Sequence, residues 1–305
     1  MTTRIGLNLG GAEQDLHTIR ALAGQAAEDG LASLWMSQLL GHDALTALAV
    51  VGQEIPDLEL GVSVVPVYGR HPLVLAMQAR TVQAAVDGRL TLGIGPSHQF
   101  TVEAFFGGSY AKPYTRTKEY LSALLPLLAG EPVDLVGEEV TACGQIDSNA
   151  PSAPPVLIAG LRPRMLRLAG TVAAGTTLWM VGPHTIASHV TPVIRRAAES
   201  AGRPEPRILA GVTAVVTDDP ADAHQRAATQ QALYGLMPAY RHMLDAEGVA
   251  GPADLVIAGN EAIVADGLQR YADAGVTDLR VSVLAANDDE RDRTRAVLRT
   301  LARSR

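Results

Sequence analysis

Short apolar runs alternate along the whole chain with longer segments whose apolar residues recur at helical spacing. Continuous apolar runs of four to ten residues are what buried parallel strands look like, because both faces of such strands are covered. They predict strands over residues 5–9, 34–38, 58–65, 90–95, 155–159, 176–181, 207–216 and 278–284. Between them, spaced apolar positions predict helices over 16–28, 43–53, 72–86, 115–128, 163–173, 183–200, 261–274 and 289–302. Pro72 opens one of these at a first-turn position, where its missing N–H costs nothing. Strict strand–helix alternation argues for β/α units on a parallel sheet. Eight of each fit an α/β fold, a closed (β/α)8 TIM barrel with insertions, running as a single domain over 1–305. An open eight-stranded sheet is the alternative architecture.

Three segments break the repeat. Residues 105–113 are rich in glycine and aromatic side chains and read as a loop over the barrel mouth. Residues 133–142 alternate around Gly137, as an added β-hairpin would. Residues 218–259 are long and partly helical, an insertion before the last unit that carries Tyr234, Tyr240, Arg241 and His242. Internal repeats and low-complexity tracts are absent from the sequence.

Composition narrows the function classes. Hydrophobic types make up 47% of 305 residues, enough for a large core, and the net charge of −7 lacks the basic footprint of a nucleic-acid binder. With Cys143 as the one cysteine, neither an internal disulfide nor a cysteine metal cluster can form. The N-terminal residues lead straight into a strand pattern with no signal-peptide apolar core, and no uninterrupted apolar stretch is long enough to span a bilayer. The expectation is a cytoplasmic protein with a small-molecule substrate, without nucleic acid or membrane partners.

In such a barrel, chemistry sits where strands end at the C-terminal face. Leu92-Gly93-Ile94-Gly95-Pro96-Ser97-His98 places glycines at a strand end, where an anion could approach backbone N–H groups; a plain tight turn is the alternative. Ala159-Gly160-Leu161-Arg162-Pro163-Arg164 joins a strand to a helix start that suits a phosphate, or is ordinary connecting chain with surface arginines. Gly175-Thr176-Thr177 offers hydroxyls beside a strand, although a glycine there is more often a helix C-cap. Gly61-Val62-Ser63-Val64-Val65-Pro66 by itself reads as strand plus loop. The histidines form no helical metal-binding pair, and no nucleophile elbow is present, so a cofactor is expected to carry the chemistry.

Taken in order, these fragments resemble the luciferase-like superfamily, in particular its coenzyme F420-dependent actinobacterial branch. The resemblance rests on Gly61–Pro66 followed by Arg70-His71-Pro72, Asp87-Gly88-Arg89 through Gly95, Glu119-Tyr120-Leu121, Pro155 through Met165, Ala173-Ala174-Gly175-Thr176, Gly259-Asn260-Glu261 and Ala274 through Asp278. It implies a deazaflavin, coenzyme F420, with FMN as the alternative, bound at the barrel mouth with its ring over the third strand. A non-proline cis peptide behind the ring would fall at Val62–Ser63. The phosphate of the tail would lie among Gly95, Pro96, Ser97 and His98, Ala159, Gly160 and Leu161, and Gly175, Thr176 and Thr177. Where many relatives carry an acid followed by histidine, this chain has Gln38-Leu39, and His98 stands where sugar-phosphate dehydrogenases carry a catalytic glutamate.

The implied activity is hydride transfer between F420 and a small organic substrate, with reduction of an activated C=C or C=N bond as the expected direction and His98 as the candidate acid. An FMN monooxygenase and a non-catalytic deazaflavin-binding protein are the alternatives. Apolar side chains at the expected mouth (Leu39, Leu40, Phe105, Phe106 and Trp179) suit an apolar substrate or simple packing. A homodimer is implied by the resemblance alone.

Overall fold

The computed structural model describes residues 3–10, 15–38 and 40–304. Leu39 lies outside them. Strands β1 (Arg4–Leu9), β2 (Ser33–Met36), β3 (Glu59–Pro66) and β4 (Leu90–Gly95) are followed by helices α1 (Leu16–Glu28), α2 (Ala44–Gly52), α3 (Pro72–Ala85) and α4 (Gln99–Phe105). Next come α5 (Pro113–Ala129) and an antiparallel hairpin, β5 (Val133–Val136) with β6 (Thr141–Gly144). The repeat resumes with β7 (Val156–Ala159), α6 (Pro163–Val172), β8 (Gly175–Leu178), α7 (Pro183–Thr185), α8 (Thr191–Ser200) and β9 (Arg207–Val216). The insertion holds α9 (Pro220–Gln230), α10 (Ala232–Leu236), α11 (Pro238–Glu247), a 3-10 turn (Pro252–Leu255) and β10 (Ile257–Gly259). The chain closes with α12 (Glu261–Asp273), β11 (Asp278–Val283) and α13 (Asp288–Arg303).

Eight parallel strands run in the order β1-β2-β3-β4-β7-β8-β9-β11, and β11 pairs back onto β1 to close the barrel. β10 is a short extra strand laid on the far end of β9. The expected closed (β/α)8 barrel is therefore the fold. No helix among the described residues is long and apolar enough to cross a membrane.

Strand side chains alternate between the helix layer and the barrel interior, and the interior is stacked in levels. On β11, Leu279 and Val281 are buried in the main core toward the helices, while Asp278, Arg280 and Ser282 alternate with them. The floor is polar: Arg207 pairs with both Asp278 and Glu59, Arg4 pairs with the same two carboxylates, and Thr91 donates to Glu59 at 2.7 Å. Above it Trp35, Leu157 and Leu209, from strands that are not neighbours, meet in an apolar middle level. Gly61 makes room there, since a Cβ would stand 2.1 Å from the Trp35 ring.

Local departures have physical causes. The helix expected over 183–200 is broken into α7, a π-helical turn at Ile186–Val190, and α8. Pro192 lies at the start of α8, and its missing N–H is tolerated where the wider turn begins a new helix. The segment taken as loop from residue 105 is preceded by α4, whose C-terminal residue is Phe105. The hairpin turn after β5 folds over Glu119, whose carboxylate accepts from the N–H groups of Glu138, Glu139 and Val140 at 3.1, 2.7 and 3.0 Å. Arg70 and His71 are likewise structural: Arg70 pairs with Asp43, the N-cap of α2, and His71 caps α3. Arg89 donates to the carbonyls of Gly52, Ile55 and Leu58, tying β4 to the end of α2.

Candidate functional site

The strands point their C-terminal ends at one face of the barrel, and the uppermost interior level is polar. Ser63 of β3 and Thr177 of β8 reach across the interior to share a hydrogen bond of 2.9 Å between their hydroxyls. Asn8 of β1 donates to Ser282 at 2.8 Å and accepts from Arg280 Nη1 at 2.7 Å. Beside Ser63 the β3–β4 register slips between Val62 and Val65. The cis peptide bond lies at Ser63–Val64, one residue beyond the expected Val62–Ser63. Val62 itself is fully buried in the core toward the helices, so its side chain does not enter the mouth.

Two adjacent strands, β4 and β7, end side by side, with Leu92–Ile94 registered against Val156–Ile158. After β4 the chain passes through Pro96, Ser97 and His98, all half-buried, and Ser97 holds a left-handed backbone, φ +61°. A non-glycine residue in that region is costly and is found where the fold needs the backbone aimed in a particular direction. β7 ends in half-buried Ala159, and buried Gly160 and half-buried Leu161 then lead to α6. No side chain caps α6, and its first turn carries no acid. The helices after β1, β2 and β3 are instead capped by Asp15, Asp43 and His71. The uncapped N–H groups and dipole of α6, flanked by Arg162 and Arg164, suit an anion.

The third element expected to hold that anion does not reach it. Gly175 is the first residue of β8, at the floor, where it registers with Arg207 and a Cβ would stand 2.0 Å from the Arg207 carbonyl oxygen. It starts the strand, and Ala173 is the C-cap of α6. Thr176 is fully buried and donates to the Ile158 carbonyl at 2.8 Å. Of that trio only Thr177 reaches the upper interior. The β8 mouth is made instead by Trp179, Met180 (φ +57°), Val181 and Gly182. The helix start beyond them is closed by Glu247 of α11, which accepts from the N–H groups of His184 and Thr185 at 3.1 and 2.7 Å.

An aromatic train from the insertion covers the mouth. The His98 ring lies 5.2 Å from Tyr240, Tyr240 lies 5.5 Å from Tyr234, and Tyr234 meets Trp179 edge-on at 6.0 Å. Burial lowers the His98 pKa and raises those of Tyr234 and Tyr240, in each case favouring the neutral form. Gln38 is half-buried and accepts from the N–H of Ala44, helping to start α2. Leu40, Phe105 and Phe106 are exposed, with Phe106 resting against Gly69.

Sequence reasoning missed Arg280. It sits inside an apolar run and passed as part of a buried strand. The clue was alternation: Asp278, Arg280 and Ser282 share one face of β11, opposite Leu279, Val281 and Val283.

A profile of luciferase-like monooxygenases matches residues 1–278. The 5,10-methylenetetrahydromethanopterin reductase of Methanolobus tindarius is 28% identical over 206 residues, which take in 67% of this chain and 63% of that protein. Among solved structures, an F420-dependent secondary alcohol dehydrogenase in complex with an F420–acetone adduct superposes with a TM-score of 0.85 at 16% identity, covering 97% of this chain and 98% of that one. The coenzyme F420-dependent tetrahydromethanopterin reductase from Methanopyrus kandleri superposes at 0.81 and 20% identity, covering 99% and 97%.

Proposed function

The chain belongs to the luciferase-like monooxygenase family, and from that premise we propose that it is a coenzyme F420-dependent oxidoreductase acting on a small organic substrate. The named activities of the relatives and structural neighbours support the cofactor. The observation that carries the reading is the pairing, at one mouth, of an uncapped helix start after β7 with a neutral, polar interior level at Ser63 and Thr177.

The residues present fit such a cofactor. The start of α6 offers unpaired N–H groups to an anionic tail, with Pro96, Ser97 and His98 on one side and Ala159, Gly160 and Leu161 on the other. The bulge at Ser63–Val64 and the Thr177 hydroxyl present an uncharged surface to a planar ring. When bound, the deazaflavin supplies or accepts the hydride. The protein's part is to orient substrate, exclude water under the aromatic cover, and deliver a proton.

His98 is the candidate for the proton. It follows β4 at the mouth, half-buried, and stands against Tyr240. With an acid of this kind the natural direction is reduction, in which an activated C=C or C=N bond takes a hydride on one atom and a proton on the other. In the same reading Gln38, after β2, is a cofactor-binding residue beside the ring.

Titration of the purified protein with oxidised F420, followed by quenching of deazaflavin fluorescence, tests this. Saturable binding, tighter than that of FMN measured in parallel, is expected. Failure of F420 to bind, or tighter FMN binding with oxygen consumption by the reduced flavin, overturns the reading.

A further inference from the structure

Arginines drawn into the fold elsewhere, half-buried Arg207 and buried Arg80, are neutralised or saturated. Arg207 has two carboxylates. Arg80 donates to the Ser148 hydroxyl, the Leu128 carbonyl and the Ser148 carbonyl. Arg280 is only 4% exposed, yet it has no carboxylate partner among the described residues. Its Nη1 is satisfied by Asn8, while Nη2 has only a long contact of 3.5 Å to the Leu178 carbonyl. Among the described residues its Nε is buried without a hydrogen-bond partner.

Nε and Nη2 form the side-on edge of a guanidinium, the edge that takes a carboxylate through two parallel hydrogen bonds. Gly211 faces it, where a Cβ would stand 2.5 Å from the Trp179 ring and 2.8 Å from the guanidinium carbon. Trp179 lies 5.2 Å from the guanidinium carbon, and Tyr234 packs edge-on against the indole. The other groups acting on the charge are Tyr234 and Tyr240. Burial draws the Arg280 pKa down to about 10, which still leaves it charged at neutral pH. A buried single cation with one unpaired donor and a weakly held one beside it, close to aromatic rings, is complementary to a planar monoanion on a flat apolar body.

We propose that Arg280 anchors a substrate subsite for a monocarboxylate attached to an aromatic or conjugated group, which lies against Trp179 and Tyr234. The proposal rests on the reading of this mouth as the substrate site. It deepens that reading by naming a substrate class: unsaturated or aromatic carboxylic acids. The same anion chemistry could come from an acidic cofactor tail, and the test separates the two.

The experiment is calorimetry on the full chain with three probes, benzoate, phenylacetate and trans-cinnamate, each compared with its own amide, alongside a separate F420 titration. The expected result is that at least one carboxylate binds about tenfold or more tightly than its amide. Arg280→Gln should abolish that preference while leaving the affinities for the amide and for F420 within about threefold, and Arg280→Lys should keep a weakened preference because it has the charge without the fork. The proposal is overturned if no carboxylate outbinds its amide in the wild-type protein, or if Arg280→Gln keeps the preference. It is overturned also if Arg280→Gln weakens F420 instead, which assigns the arginine to the cofactor. Should Arg280→Gln not fold, the wild-type carboxylate–amide comparison still decides. Carboxylate selectivity without F420 binding would remove the hydride reading and leave the subsite standing; the converse would do the opposite.

Discussion

At the floor of the barrel Arg207 meets Asp278 and Glu59, and Arg4 joins the same pair of carboxylates. Two residues further along β11, at the mouth, Arg280 faces neutral tyrosines and a tryptophan with one donor unpaired. Both guanidiniums are drawn into the barrel interior, Arg280 more deeply than half-buried Arg207, and among the described residues only Arg207 has carboxylate partners. An uncompensated buried charge costs several kcal/mol in effective terms, so the fold carries a penalty at the mouth that it avoids at the floor. Two further strained features lie at the same end: the left-handed backbones of Ser97 and Met180. The floor is arranged for stability, and the mouth, on the proposed reading, for binding.

That contrast can be broken most sharply at the floor. Asp278→Ala should remove about 3–5 kcal/mol of stability, because it strips Arg207 and Arg4 of a carboxylate they share; denaturant unfolding that matched the wild type would show the floor to be dispensable. Next in size is chemistry at the mouth. His98→Ala should lower kcat about 100-fold, equivalent to about 2.7 kcal/mol, with little change in unfolding free energy. Because burial lowers the His98 pKa and an acid must be protonated to act, kcat/KM should fall as pH rises through a value below the ordinary 6.5. A profile flat across that range would remove His98 from the proton path. Thr177→Val, which leaves the Ser63 hydroxyl without its 2.9 Å partner, should cost about 1–3 kcal/mol in unfolding and loosen F420 binding. The smallest stability effect is expected at Arg280: Arg280→Met should unfold within about 1 kcal/mol of the wild type, or later than it, since the arginine is uncompensated. A loss as large as that for Asp278→Ala would erase the distinction between the two ends.

The barrel was legible because its signals are periodic and local. The buried strands read as apolar runs and the helices as spaced apolar faces, and α1 (Leu16–Glu28) matches its expected bounds at both ends. The polar levels inside the barrel were harder to see, because they are assembled from every second residue of strands far apart in sequence. Asp278 and Arg280 share one face of the same strand, yet one is in the floor and the other at the mouth. Gly175-Thr176-Thr177 was assigned to the mouth by the family resemblance, although the glycine alone read as a helix C-cap; the register with Arg207, Ile208 and Leu209 puts Gly175 at the bottom. The covering by Tyr234 and Tyr240 depends on how α10 and α11 fold back, a tertiary matter with no local code. The bulge in β3 was expected one peptide bond early, since nothing in a run of Val and Ser residues marks where the register slips.

A crystal structure of the protein grown with oxidised F420 tests the account most directly. The ring should lie against the Ser63–Val64 bulge, with the tail phosphate at the uncapped start of α6 between the ends of β4 and β7 and the Arg280 side-on edge left free for substrate. Density for the cofactor elsewhere, or a tail anion seated on Arg280, would contradict it.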